Sequence, residues 1–339
     1  MTGRDLLLIT TVLCLSAALT GLVRRRALAR GILDLPNTRS SHTIPTPRGG
    51  GLAIVVAATI GLTTLWVWGV VDSRLALALL GGGAGVALIG YLDDRGSLSV
   101  RARIVVHFAC AVWAVAVLGG LPPIQWGSHA VDLGWAGVLL AVLAIVWMLN
   151  LFNFMDGIDG IAGSEAVFVS AAGAALASVG GLSGSVPAAA SVVAAASVGF
   201  LCWNWPPAKI FMGDVGSGYL GYVIAVLALG ATRENPAMLY VWLILGGTFF
   251  VDATVTLISR LLRGERVYEA HRSHAYQRLS RRWRSHRRVT VSVWLANVLW
   301  LLPMAMVAAA NPAFAALLVL VALVPIVVAV SVAGAGRHD

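Results

Sequence analysis

The sequence predicts an all-α fold, a polytopic membrane bundle of about 10–11 transmembrane helices with polar cytoplasmic loops. The first observation is composition: 59% of the 339 residues are hydrophobic and 12% are charged, against about 45–50% and 25% in soluble domains. The second is that the hydrophobic residues form long runs, and the third is that the basic residues fall between these runs. The bilayer is therefore the natural solvent of this chain.

Eleven stretches are long and apolar enough to be membrane helices, which need about 20 residues each. They are residues 5–23, 51–71, 74–92, 102–120, 134–152, 162–180, 187–203, 216–231, 237–262, 291–310 and 313–335. The first ends in three arginines and not in a small-residue cleavage site, so we interpret it as a span and not as a signal peptide. No linker marks a second domain, and residues 1–339 are treated as one integral membrane domain.

The distribution of the basic residues predicts the orientation. Of the 24 Lys and Arg residues, 21 lie in or beside the loops after odd-numbered spans or in the C-terminal tail, and 3 lie elsewhere. The positive-inside rule makes the first set cytoplasmic and puts the N-terminus outside. Topology thus explains the net charge of +9, and no nucleic-acid partner is expected. The three cysteines have neither metal-ligand nor disulfide spacing.

The first two inside loops offer groups for an anion and a cation. The first contains Arg39, His42 and Arg48 and ends in three glycines that open a helix, where backbone N–H groups favour anions. The alternative is an ordinary basic loop with turn residues. The second contains Asp93 and Asp94, which are costly at a membrane face unless they meet a cation or a proton. They could bind Mg²⁺ or act as a base, or they could be a solvated helix end.

The third inside loop carries an amide and two carboxylates. If this segment is helical, Asn153, Asp156 and Asp159 lie three residues apart and share one side of the helix. Gly157 and Gly160 would let a ligand or another backbone approach closely. An amide and two carboxylates at this spacing among apolar residues have no evident structural purpose, so we favour a functional role.

The fourth and fifth inside loops add an aromatic ring, an acid and a basic group. Phe211 could stack on a base or pack at the membrane interface, and Asp214 could act chemically or cap the helix that follows. His271, Arg272 and His274 have the character of a diphosphate clamp. The run 281–288 is interpreted as an anchor for lipid headgroups. A ligand with a diphosphate and a base, held with Mg²⁺, would use each class of group in these loops.

The blocks at residues 90–94, 153–160, 204–217 and 271–274 resemble the polyprenyl-phosphate N-acetylhexosamine-1-phosphate transferases, which are glycosyltransferase group 4, the WecA/MraY type. The resemblance covers residues 34–278 in the family's loop order. It implies a UDP-sugar donor, undecaprenyl phosphate as acceptor and UMP release at the cytoplasmic face of the bacterial inner membrane. It also implies Mg²⁺, or Mn²⁺ in its place, and leaves a homodimer open.

Site roles carried over from the resemblance fall into three groups. Asp214 is the expected Mg²⁺ ligand. The expected catalytic residues are Asp93, which takes a proton from the lipid phosphate, with Asp94, Asp156, His271 and His274. The expected substrate-binding residues are Asn153, Gly157, Ile158, Asp159, Asn204 and Phe211. The residue chemistry adds Arg48, Arg101 and Arg272, because guanidinium groups suit phosphate oxygens; Arg101 and Arg103, which begin a span, could hold phosphate or simply anchor the helix. Direct attack by the lipid phosphate and a covalent route through an aspartate both remain open.

The fifth loop also resembles one branch of the family. It reads His-Arg-Ser-His where the peptidoglycan-precursor branch carries three consecutive histidines, and Arg272–Arg278 is similar to WbpL-type enzymes. Those enzymes initiate O-antigen or related surface glycans, with donors such as UDP-FucNAc or UDP-QuiNAc.

Two other functions fit a polytopic membrane protein. A transporter or flippase for a lipid-linked or anionic solute would place ionisable residues inside the spans, and Asp252 is the clear example here. A scaffold for a soluble glycan enzyme would use the basic fifth loop, but it leaves the Asn/Asp and Phe/Asp blocks unexplained.

Overall fold

The computed structural model describes residues 3–36, 44–96, 98–127, 129–182, 184–266 and 271–337. Arg39 and His42, which the sequence offers as groups for an anion, lie outside the described residues. The described chain is an all-α membrane bundle, which confirms the predicted fold class.

Thirteen helices, labelled α1 to α13, form the bundle in the described residues. They are Gly3–Ala29, Gly51–Val67, Ser73–Arg95, Val100–Leu118, Trp135–Met155, Ile161–Val179, Ser185–Asn204, Asp214–Glu234, Met238–Leu245, Gly247–Leu262, Ala275–Trp283, His286–Ala310 and Pro312–Ala333. Two short antiparallel pairs accompany them, β1 (Leu33–Asp34) with β2 (Thr46–Pro47) and β3 (Ile124–Trp126) with β4 (His129–Val131).

Each of the eleven predicted spans corresponds to a helix or a helix pair. In the described part of the chain, nine helices are long and apolar enough to cross a membrane, and α2 is a shorter apolar helix of 17 residues. The predicted ninth span is not one straight helix, because α9 and α10 meet at an angle of 73°. The break falls at Gly246 and Gly247, where Gly246 leaves the helical conformation at φ −81° and ψ +8°, a change that residues without a Cβ accept easily. The protein is a multi-pass membrane protein.

Helix α8 is the most buried of the long spans, with 89% of its most apolar window inside the protein. Glycines let α8 and its neighbours approach closely. A Cβ at Gly90 of α3 would collide with the backbone of α8, and a Cβ at Gly221 of α8 would collide with the backbone of α5. Small residues at helix contacts are typical of membrane bundles. The peripheral helices α4, α12 and α13 expose large apolar side chains, as lipid contact requires.

The two ends of the bundle differ. At one end, here called the site face, α3, α5 and α7 end and α8 begins. The opposite face carries the β3–β4 hairpin, where Arg233 Nη1 donates to the Gly120 carbonyl oxygen at 2.8 Å and Tyr240 donates to the Gln125 carbonyl. The polar loops singled out in the sequence therefore belong to the site face.

Candidate active site

A cluster of three carboxylates and two arginines lies at the site face. Arg48 Nη2 is 2.7 Å from Asp214 Oδ1 and 2.9 Å from Asp94 Oδ1. Arg103 Nη1 is 2.5 Å from Asp93 Oδ2 and 3.2 Å from Asp214 Oδ2. Asp214 contacts both arginines and is the centre of the cluster.

The first turn of α8 is held by Asp94. The two carboxylate oxygens of Asp94 accept the backbone N–H groups of Asp214 at 2.9 Å and Val215 at 3.1 Å. A carboxylate at a helix N-terminus is stabilised by these N–H groups and by the helix dipole. Asp94 thus caps α8 and leaves the Asp214 side chain to the arginines. The alternative in which Asp214 itself caps the helix is wrong, since no side-chain cap bond forms there.

The third loop is not helical throughout. Helix α5 ends at Met155, and Gly160 takes a left-handed conformation at φ +73° before α6 begins. The prediction that Asn153, Asp156 and Asp159 share one side of a helix is therefore wrong, because the chain leaves the helical conformation at Asp156 (φ −87°, ψ +51°), so Asp156 and Asp159 lie beyond the helix that carries Asn153. The three side chains nevertheless line the same cavity.

Asn204 and Asp159 join the third and fourth loops. Asn204 is 3% exposed, accepts the Gly160 N–H at 3.0 Å and donates to a fourth-loop carbonyl at 2.9 Å. Asp159 Oδ2 accepts the Ala208 N–H at 3.1 Å, and its Oδ1 lies 3.0 Å from His286 Nδ1. Asn204 and Asp159 therefore line the cavity and also hold its wall in place through these contacts.

Main-chain hydrogen bonds join the first and fourth loops. The Phe211 N–H donates to the Pro47 carbonyl at 2.8 Å, the Gly50 N–H donates to the Phe211 carbonyl at 2.9 Å, and the Gly51 N–H donates to the Met212 carbonyl at 2.8 Å. This pairing, here called the loop zipper, sets the position of the Phe211 ring relative to Arg48.

The loops enclose a cavity of about 210 Å³ beside the carboxylate cluster. A larger cleft of about 670 Å³ shares Asp159, Phe211 and His286 with it. Together the two spaces fall in the range of about 300–1,000 Å³ that is usual for small-molecule sites. The cavity is lined by Asp34, Arg48, Asn153, Asp156, Gly157, Ile158, Asp159, Asn204, Phe211, Gly213, Asp214, Ser217, Gln277 and His286.

Comparison with known proteins connects this geometry to a family. Residues 76–232 match the model of glycosyl transferase family 4. The chain is 32% identical to a decaprenyl-phosphate N-acetylglucosaminephosphotransferase of Mycobacterium tuberculosis, over 81% of this chain and 76% of that protein. This chain belongs to glycosyl transferase family 4.

Two further relatives of the transferase differ in their named substrates. One is a probable undecaprenyl-phosphate N-acetylglucosaminyl 1-phosphate transferase of Bacillus subtilis, 29% identical over 83% of this chain and 79% of that protein. The other is a phospho-N-acetylmuramoyl-pentapeptide-transferase of Desulforamulus reducens, 32% identical over 75% of this chain and 80% of that protein. Of the three relatives, the first two are polyprenyl-phosphate N-acetylglucosamine-phosphate transferases by name and the third is a phospho-N-acetylmuramoyl-pentapeptide transferase, so the family resemblance seen in the sequence is confirmed.

The site of this transferase carries more acids than bases. Burial alone would lower the pKa of Arg48, but Asp94 and Asp214 raise it, so the guanidinium keeps its charge. Enclosure and the neighbouring Asp214 raise the pKa of Asp156 well above its usual range. A cation in the cavity would act in the opposite direction, because positive charge favours the carboxylate form.

The donor set of the cavity suits a hard divalent ion. In the described ranges, no group of three or more His, Cys, Asp or Glu side chains has a metal-holding arrangement. Mg²⁺ often uses only one or two protein carboxylates and completes its shell with water and substrate phosphates. Asp214 and Asp156 both line the cavity, so their oxygens fit an ion shared with a bound diphosphate.

The fifth-loop histidines lie outside the group of residues that lines the cavity. Their rings stack at a centroid distance of 4.9 Å, and the buried His274 has Nδ1 3.4 Å from Asp252 Oδ1. Asp252 also accepts the backbone N–H groups of Ala275 and Tyr276 at 2.9 and 3.0 Å, so it caps α11. Burial, followed by the charge of His274, lowers the pKa of His271 to about 4. His271 is therefore neutral near pH 7, and it would meet a phosphate through hydrogen bonds and not as a cation.

Two predicted substrate-binding arginines are solvent-exposed and do not line the cavity among the described residues. They are Arg101 and Arg272, and the guanidinium near the acids is that of Arg103 instead. Arg101 and Arg103 are both basic residues of the same helix end, and their spacing alone does not tell which one turns toward Asp93.

The sequence interpretation also assigned no role in the site to several residues that line the cavity. His286 belongs to the run that we interpreted as a lipid anchor, and Gln277 follows the histidines by one helical turn. Ser217 accepts a hydrogen bond from Asn153 Nδ2 at 3.2 Å. The closing Ser of the fourth-loop block was a signal for Ser217, whereas His286 is brought in by a tertiary contact.

Proposed function

We propose that this protein transfers an N-acetylhexosamine 1-phosphate from a UDP-sugar to undecaprenyl phosphate and releases UMP. The single observation that carries the proposal is the position of Asp214, which contacts both arginines and lines the same cavity as the Phe211 ring. The names of the relatives, which include polyprenyl-phosphate sugar-phosphate transferases, support the same chemistry.

We place the donor in this cavity with its base at Phe211. Phe211 offers a ring on which uracil can stack, and Gly157, Ile158 and Asp159 line the same cavity. The diphosphate then extends toward Asp214 and Arg48, since guanidinium groups bind phosphate oxygens well. Asp156 and Asn153 line this cavity as well and would face the diphosphate and the sugar.

Mg²⁺ would be held by Asp214 together with phosphate oxygens of the donor, with Mn²⁺ as a substitute. When bound, such an ion supplies positive charge that offsets the charge of the reacting diphosphate. Asp156 lines the same cavity and would be the second carboxylate available to the ion.

The reaction would use Asp93 as the base. Its carboxylate accepts the Leu98 N–H at 2.8 Å and is ion-paired with Arg103. In the proposed step Asp93 takes the proton of the acceptor phosphate, and the freed oxygen attacks the β-phosphorus of the donor. A new P–O bond forms to the lipid phosphate while the bond to the bridging oxygen breaks. The electron pair leaves with UMP, and Arg48 and Arg103 stabilise the developing negative charge.

The proposed membrane location is the bacterial inner membrane, with the site face in the cytoplasm and the N-terminus outside. The support for this orientation is the 21-to-3 distribution of basic residues. UDP-sugars are made in the cytoplasm, so a donor cavity at this face would have access to its substrate.

The branch within the family rests on the Arg272–Arg278 stretch. Its similarity to WbpL-type enzymes favours an N-acetylated deoxyhexose donor and the start of an O-antigen or related surface glycan. A transporter function is not favoured, because Asp252, the acid that suggested it, is occupied with capping α11.

The decisive assay supplies membranes containing the protein with radiolabelled UDP-GlcNAc, UDP-GalNAc, UDP-FucNAc or UDP-QuiNAc. We expect Mg²⁺-dependent, butanol-extractable label from one of these donors, with one UMP formed per lipid product. Membranes from cells without the protein are the control. Solute flux into proteoliposomes without UMP formation would contradict the proposal.

A further inference from the structure

A group of three polar side chains lies deep in the bundle, away from the cavity. Glu165 of α6 is 1% exposed, and Asn297 of α12 donates from Nδ2 to its Oε2 at 2.5 Å. The Thr248 hydroxyl of α10 lies 3.3 and 3.4 Å from the two carboxyl oxygens and 2.9 Å from Asn297 Oδ1. All three residues belong to membrane-spanning helices, where an unpaired polar group is costly.

Counting donors shows how this triad is satisfied. Its polar partners in the described chain are a hydroxyl and an amide, and neither is a cation. The Thr248 hydroxyl has a single hydrogen, and its shortest contact is to Asn297 Oδ1. With a neutral carboxyl the ring closes: Asn297 donates to Glu165 Oε2, the Glu165 Oε1–H donates to Thr248, and Thr248 donates to Asn297. An ionised carboxylate would leave one of these contacts without a hydrogen.

Each member of the triad belongs to a helix that follows or carries a residue of the site or of the support of α11. Helix α6 follows the third loop, with Asp159 six residues before Glu165. Helix α12 begins at His286, which meets Asp159 at 3.0 Å. Helix α10 carries Asp252, the cap of α11, one turn after Thr248. The triad therefore ties together the three helices that form the His286–Asp159 contact and support α11.

The triad also lies where two helices are least regular. Thr248 follows the 73° break between α9 and α10 directly, and Asn297 opens a π-helical segment within α12. Broken and π-helical segments depart from the regular pattern of backbone hydrogen bonds. The triad adds side-chain hydrogen bonds between helices at the places where that backbone pattern is interrupted.

We infer that Glu165 is a positioning residue, which acts as a neutral hydrogen-bonding link that sets α10 and α12 against α6 and so holds His286 against Asp159 at the donor cavity. The inference rests on the proposed function for its kinetic measurement. It also assigns Glu165 a role that requires no charge, in contrast to a proton or ion pathway.

The test compares Glu165→Gln with Glu165→Leu. A glutamine can accept from Asn297 and donate to Thr248, so we expect turnover close to that of the unaltered protein. Leucine has a similar size but no hydrogen bonds, and we expect kcat/KM for the nucleotide sugar to fall by about tenfold or more, mainly through KM, because the donor wall is displaced. Ser170→Ala, a buried hydroxyl of the same helix outside the triad, is the matched control and should be without effect.

A double-mutant cycle separates positioning from general destabilisation. If Glu165 acts through His286, then Glu165→Leu and His286→Gln are non-additive in kcat/KM. Should Glu165→Leu fail to fold, Thr248→Val replaces it in the same cycle. Additive losses, unchanged kinetics in Glu165→Leu, or loss of activity in Glu165→Gln would each overturn the inference. An unaltered protein that turns over no UDP-sugar would instead contradict the proposed function.

Discussion

Asp214 has a role that a neutral residue of the same shape cannot fill. Its carboxylate contacts Arg48 at 2.7 Å and Arg103 at 3.2 Å, while its backbone N–H is bound by Asp94. The helix cap therefore does not depend on the Asp214 side chain, and a change there can remove charge without removing the cap.

Replacing Asp214 by asparagine should thus abolish catalysis and leave the fold intact. We expect turnover to fall at least about 100-fold, the scale seen when a group that stabilises developing charge is lost. The thermal midpoint of the purified protein in detergent is the control and should change little. Retained turnover in Asp214→Asn would remove the proposed Mg²⁺ assignment.

Gly157 lies at a point in the third loop where there is no room for a side chain. A Cβ at Gly157 would overlap the hydroxyl oxygen of the buried Tyr276, and that hydroxyl donates to the Phe154 carbonyl at 2.8 Å. The third loop and α11 are therefore packed directly against each other at this point.

An alanine at Gly157 should therefore damage the site through packing. We expect Gly157→Ala to cost about 1–3 kcal/mol in stability, as overpacking does, and to lower activity. The double variant Gly157→Ala with Tyr276→Phe removes the colliding oxygen and should recover much of both losses. If the double variant is no better than Gly157→Ala alone in thermal midpoint and turnover, this packing explanation is wrong.

Sequence patterns predict side chains that stay within one motif better than those that meet across the chain. The fourth-loop block marked Phe211 and Asp214, and both line the cavity. His286 meets Asp159 across 127 residues, and nothing local to either residue indicates that contact. Whether Arg101 or Arg103 reaches Asp93 depends likewise on how α4 is rotated about its axis, which the spacing of the two arginines does not reveal.

Some features of single helices are likewise predictable from the sequence, and others are not. Apolar length predicts each span, because the bilayer thickness sets a minimum length for a helix. It cannot predict the break between α9 and α10, since both parts of that pair are apolar and their summed length is ordinary for one span. Helix α11, in contrast, is short and basic, and its position depends on a cap that comes from another helix.

Asp252 is therefore expected to control the stability of α11. Loss of a helix cap costs about 1 kcal/mol, so Asp252→Ala should loosen α11 and speed tryptic cleavage at Arg278, Arg281 and Arg282. Asparagine offers one acceptor oxygen where the carboxylate offers two, so Asp252→Asn should keep one of the two N–H contacts and give an intermediate cleavage rate. The measurement is the cleavage rate in detergent at neutral pH. Equal protection in Asp252→Ala would contradict the capping role.

At the scale of the whole molecule, the five polar loops meet at one end of the bundle. The contacts of Arg48, Arg103 and His286 join loops that are far apart in sequence. The distribution of basic residues gives this end its proposed cytoplasmic orientation.

Cysteine labelling can test that orientation. In a background with Cys14, Cys110 and Cys202 replaced by alanine, His129→Cys lies in the exposed β3–β4 hairpin and Arg282→Cys lies on the exposed side of α11. A membrane-impermeant maleimide should label His129→Cys in intact cells and Arg282→Cys only after permeabilisation. Labelling of both from the outside, or the reverse pattern, would contradict the proposed topology.

The loop zipper has a consequence for how such a site can change. Its three bonds run between peptide groups, so the spacing of the first and fourth loops does not depend on which side chains they carry. Substitutions in the wall can then alter the shape and polarity offered to an incoming sugar while the catalytic acids keep their places. A site built in this way allows the preferred donor sugar to change among related proteins while the catalytic residues stay the same.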